Sequence, residues 1–94
     1  RYSVSEERDL QNKVQRADHA QRILTDTLVQ EALSGMRETV YHNIRTSHFK
    51  DVAEREDLYK MLKTVDSFER QFTDAVNGGK KARSLLKDIL KLRK

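Results

Sequence analysis

Leu58-Tyr-Lys-Met61-Leu-Lys-Thr-Val65-Asp-Ser-Phe68-Glu-Arg-Gln-Phe72-Thr-Asp-Ala75-Val-Asn77-Gly78-Gly79 is the stretch that decides the fold of this chain. Leu58, Met61, Val65, Phe68, Phe72 and Ala75 recur at alternating steps of three and four, the seam of a helix that packs along its length. Glu56/Lys60 and Asp66/Arg70 pair acid before base along its outside. Upstream, Asp51-Val-Ala-Glu54 is a capping signature with aspartate as the cap, so the helix begins at 51. Its end is contested. Asn77-Gly78-Gly79 is a good helix stop, with glycine suited to the left-handed position after the last turn. The seam nevertheless keeps phase through Gly79, Ala82, Leu86 and Ile89. Two central glycines cost a continuous helix about 2 kcal/mol, which favours a break or hinge and a third helix over 51–76. The alternative is one long helix whose small residues let another backbone approach.

Toward the N-terminus the same periodicity gives two more helices. Ser3-Val-Ser-Glu6 has the form of a capping box and opens a helix over 3–25. Its stripe is Leu10, Val14, Ala17, Leu24 and Leu28, interrupted by Gln21. Thr25-Asp26-Thr27 marks a break, where Thr27/Gln30 makes a second capping box and Asp26 competes as the cap. The next helix covers 28–46, with Val29, Leu33, Met36, Val40 and Ile44 on its stripe. Gly35 inside it reads as a point of close helix packing. Residues 46–50 read as a loop. The chain has no proline and three glycines, too little turn punctuation for a sheet protein. The fold expected is all-α: a small three-helix bundle over 1–79 with neighbouring helices antiparallel, followed by a basic amphipathic helix or arm over 80–94.

That tail concentrates the charge. Lys80, Lys81, Arg83, Lys87, Lys91, Arg93 and Lys94 face a single acid, Asp88, whereas the preceding residues hold twelve basic and fourteen acidic side chains. The net +4 therefore sits in the tail. Ala82, Leu85, Leu86, Ile89 and Leu92 recur at helical spacing on it. Four readings compete. The apolar face packs on the body or on another subunit; it docks in a groove of a different protein; the cations grip nucleic-acid phosphates; or the helix lies on a membrane. The last is disfavoured by a short apolar face without Trp or Phe. Single-strand stacking is disfavoured because the tail has no aromatic. No clear helix-turn-helix is present, since the candidate recognition helix carries only Arg37 and Arg45.

In 94 residues, hydrophobic and charged side chains each make up 36%, so the core is thin and oligomerisation is the natural support. There is no cysteine, hence no disulfide and no thiolate metal site, which fits a reducing compartment. No apolar run approaches the roughly 20 residues of a membrane span. No secretory signal is visible, and a start at Arg1 suggests that an N-terminal piece is missing. No nucleophile has a base and an orienting group beside it, and Gly78-Gly79-Lys80-Lys81 lacks the spacing of a phosphate-binding loop. His19, His42 and His48 read as surface or loop residues, although Glu38 and His42 are four apart. The expectation is a non-enzyme without metal or cofactor. Phe68 and Phe72 read as core or interface, and Tyr41 and Tyr59 as stripe-edge rings.

Asp18-His-Ala-Gln-Arg-Ile-Leu-Thr-Asp-Thr-Leu-Val-Gln-Glu-Ala32, Arg55-Glu-Asp-Leu-Tyr-Lys-Met-Leu62 and Val76-Asn-Gly-Gly-Lys-Lys-Ala82 together resemble a group of small helical proteins of undefined function encoded by tailed bacteriophages and prophages. The resemblance covers about residues 16–83. The chain departs from the group at Thr27, where relatives often have Pro, and at Tyr41 and Tyr59, where they often have Trp. The resemblance implies a phage-encoded accessory or virion-associated protein, located in the host cytoplasm or the virion. Two functions are expected. The first is assembly with further copies or another protein through Leu58, Met61, Val65, Phe68, Phe72, Leu85, Leu86 and Ile89. The alternative is a DNA-binding packaging or regulatory accessory that grips phosphates through the tail.

Overall fold

The computed structural model describes residues 3–93 and is all-α. Three helices follow one another: α1 (Val4–Thr25), α2 (Thr27–Thr46) and α3 (Val52–Leu92). Their starts obey local capping chemistry. The Ser3 hydroxyl accepts from the Glu6 amide at 3.1 Å, and Asp51 accepts from the Glu54 amide at 3.1 Å. Between α1 and α2 the cap is Asp26, whose extended backbone and carboxylate hold the Val29 amide at 3.1 Å. Thr27 is the first helical residue of α2, so of the two competing caps aspartate prevails. The loop 47–51 is tied down by Arg55, whose guanidinium donates to the His48 and Phe49 carbonyls at 2.6 and 2.7 Å.

The expected stop at Asn77-Gly78-Gly79 does not occur. Residues 77–79 are helical inside α3, which runs for 41 residues, and no glycine has a positive φ. The basic tail is therefore the last turns of α3 and not a separate arm. The physical reason lies in what covers Gly79. A β-carbon built there would collide with Ala17 Cβ and lie 3.3 Å from the Lys13 carbonyl oxygen. The backbone of α1 thus rests on the glycine, and the contact outweighs the propensity cost of the pair.

The helices pack as two compact units. In the first, α1 lies against α3 from Gln71 onward. Small residues line its seam: Ala17, Ala20, Gly79 and Ala82 are buried. Beyond them Leu10, Ala82 and Ile89 form a cluster against which Val14 and Leu86 pack. In the second, Thr25–Arg70, α2 lies against the first half of α3 with Leu33, Val40 and Leu58 buried. Of the two pairs of chain neighbours expected to pack antiparallel, α2 and α3 share the second unit, whereas neither unit contains an α1–α2 pair and α1 is grouped with the second half of α3. Arg37 of α2 clasps α3 in the second unit, donating to Asp66 at 3.0 Å and Glu69 at 2.6 Å. Asp66, expected to pair with Arg70, turns to Arg37 instead. These two carboxylates raise the arginine's pKa, Glu69 most, and hold it charged.

Candidate functional site

Each unit exposes one distinctive surface. In the second unit it is an uncharged, apolar groove. Leu28, Ala32, Gly35, Met36 and Thr39 lie along one exposed side of α2, with no charged residue among them because Glu31, Arg37, Glu38 and Arg45 fall elsewhere on the helix. Facing this side, α3 contributes Met61 and Val65. Together they line an open groove of about 540 Å³, with Val40 at its base. Met36 is 45% exposed and Met61 54%, high values for flexible apolar side chains well inside two helices. Phe68, 53% exposed, follows Val65 on the same side of α3. Gly35 has nothing within 4 Å of its missing side chain, so the packing expected of it is not packing within the described chain.

In the first unit the surface is the outward side of α3's basic end. Ala82 and Ile89 are buried and Leu86 half-buried under α1, which turns the opposite side to solvent. Lys80, Lys81, Lys87 and Lys91 are exposed there and have no ion-pair partner among the described residues. The two arginines behave differently: Arg83 pairs with Asp18 and Arg93 with Glu7, both acids of α1. Lys94 lies outside the described residues, as does Tyr2.

The residues expected at an interface thus divide into three sets. Leu58 and Ile89 are 7% and 5% exposed, buried by the chain itself. Val65, Phe72 and Leu86 are half-buried. Met61, Phe68 and Leu85 are exposed. Sequence reasoning missed the α2 side of the groove and the α1 acids that neutralise Arg83 and Arg93. The uncharged helical side formed by Leu28, Ala32, Gly35, Met36 and Thr39 was a signal for the former; nothing local signalled the latter. Tyr59 is 56% exposed with the Lys63 ammonium 5.3 Å from its ring centre, so it is more open than a stripe-edge ring. No cluster of three or more His, Asp or Glu side chains capable of holding a metal occurs among the described residues, and among them no helix is long and apolar enough to cross a membrane. Compared with known proteins, the chain matches no family model, no curated protein and no solved structure.

Proposed function

We propose that this chain is a non-enzymatic assembly module whose second unit docks against the same unit of another copy. The observation that carries the reading is the groove of Ala32, Gly35, Met36, Met61 and Val65. A two-helix hairpin buries one stripe of each helix and leaves the neighbouring apolar side wet. A partner for an uncharged apolar groove must itself be uncharged and apolar, because an unpaired charge set there would lose its hydration. The chain's own second unit offers such a face. Two copies related by a twofold axis would cover each other with one patch, methionines adapting their shape to the contact and Gly35 admitting a helix backbone. The tail's leucines support this less, since α1 already covers Leu86 and Ile89. The resemblance to small phage-encoded proteins adds an accessory or virion-associated setting on the strength of resemblance alone.

Sedimentation equilibrium tests the reading. The chain is expected to be a dimer, and the double variant Met36→Asp/Met61→Asp a monomer of unchanged helical content, since both side chains are exposed. A chain that stays monomeric up to about 0.1 mM, an association free energy weaker than about −5.5 kcal/mol, would overturn it.

A further inference from the structure

We infer that the outward side of α3's basic end is a binding surface for the phosphate backbone of a duplex nucleic acid, without base specificity. This rests on the first unit and is independent of the assembly reading.

Orientation comes first. With Ala82, Leu86 and Ile89 held under Leu10 and Val14 of α1, the opposite side of the helix is fixed toward solvent. At 100° per residue Lys80, Lys87 and Lys91 fall within about 40° of one another, a ridge about 16 Å long, with Lys81 on its flank. The ridge residues are exposed, and Ser84 between them is exposed and neutral.

Pairing comes second. Arg83 and Arg93 are engaged by Asp18 and Glu7, whereas the four lysines have no such partner among the described residues. The division separates cations that fasten α1 to α3 from cations left to an outside anion. Residues 71–94 carry seven basic side chains against Asp74 and Asp88, so the field there is positive. Lysine is a mobile, hydrated point charge suited to phosphate oxygens and poor at reading base edges.

The class of polyanion follows from what the ridge lacks. No aromatic follows Phe72, so unstacked bases have no platform and a single strand gains little beyond charge. A membrane-lying helix needs one continuous apolar side opposite its cations, and here that side is covered by α1. Leu85, Leu90 and Leu92 are exposed but fall on both flanks of the ridge. A duplex presents closely spaced phosphates along a rigid edge, which three aligned ammonium groups can meet together.

The experiment is fluorescence anisotropy of a random-sequence DNA duplex of about 20 base pairs, titrated with the full chain between about 50 and 300 mM salt. Three to four phosphate contacts predict that log K falls with log salt at a slope of about −3 to −4. Lys80→Gln/Lys87→Gln/Lys91→Gln should flatten the slope by about 2.5. Arg83→Gln/Arg93→Gln removes two positive charges against three and should leave the slope within about 0.5 of the parent. Circular dichroism on both variants keeps the comparison among folded proteins. Absence of duplex binding, an unchanged slope in the lysine variant, or equal losses in the two variants would each overturn the assignment. So would tighter binding to phosphatidylserine-containing vesicles than to the duplex at the same salt.

Discussion

Gly78 and Gly79 are adjacent, both helical, and a single methyl group should act on them with opposite sign. At Gly78 a β-carbon meets nothing within 4 Å among the described residues, so Gly78→Ala should stabilise the chain by about 0.5–1 kcal/mol through helix propensity and reduced unfolded-state freedom. At Gly79 the same carbon would strike Ala17, and Gly79→Ala should destabilise by about 1–3 kcal/mol, the range for overpacking. Urea melts of the two variants check both signs. This pair also marks where sequence reading ran out. Asn77-Gly78-Gly79 has the local chemistry of a stop; what overrules it is Ala17, about sixty residues distant in the chain. At the head of α3, Glu54 has its pKa raised by its neighbour Asp51, with which it shares a hydrogen bond. A carboxyl whose pKa is raised on folding contributes stability at low pH that is lost as pH rises through its folded value. Glu54→Gln removes that loss. Its melting temperature should exceed the parent's at neutral pH, and the gap should close as pH falls through the carboxylate range.

Between elements, the contact most open to a single substitution is the Arg37 clasp. Its side chain is 24% exposed, and Asp66 and Glu69 are 46% and 29%, so solvent screens the pairs and each is worth less than a buried one. Arg37→Met keeps the aliphatic stem, leaves two carboxylates three residues apart, and should cost about 1–1.5 kcal/mol at low salt and less at high salt. Arg37→Lys should recover only part, because one ammonium cannot span both acids with the arginine's fork. Parallel denaturant melts at two ionic strengths decide it. The helices themselves were legible: periodicity and three capping signatures placed every start within a residue or two, because caps are local chemistry. The clasp was not, since Arg37 and Asp66 are joined only when α2 folds back onto α3. Asp66/Arg70 satisfied the four-residue spacing rule as well as any pair in the chain, and the cross-helix partner still prevailed.

At the scale of the whole molecule, stability and association are expected to be linked. If the second units cover each other, the melting temperature should rise with protein concentration, and Met36→Asp/Met61→Asp should abolish that dependence without lowering the value at high dilution. Differential scanning calorimetry across a wide concentration range reads this directly. The seam residues of α3 could all be named from the sequence. Which of them face the chain's own helices and which face outward could not, because periodicity gives a stripe and not its partner. Leu58 and Ile89 are enclosed while Met61 and Phe68 are open, and nothing in their spacing distinguishes them.

The glycine under Ala17 bears on how this sequence can drift. Position 79 has no room to grow while position 17 keeps its methyl group, and Ala17 is itself enclosed. Neither site accepts a larger side chain alone, yet Ala17→Gly vacates the volume that Gly79→Ala requires. The two positions form an epistatic pair: the second substitution should be tolerated on the background of the first and selected against without it. Homologous lineages should therefore exchange the methyl group between helices, so that correlated change at 17 and 79 is the inherited signature of this crossing.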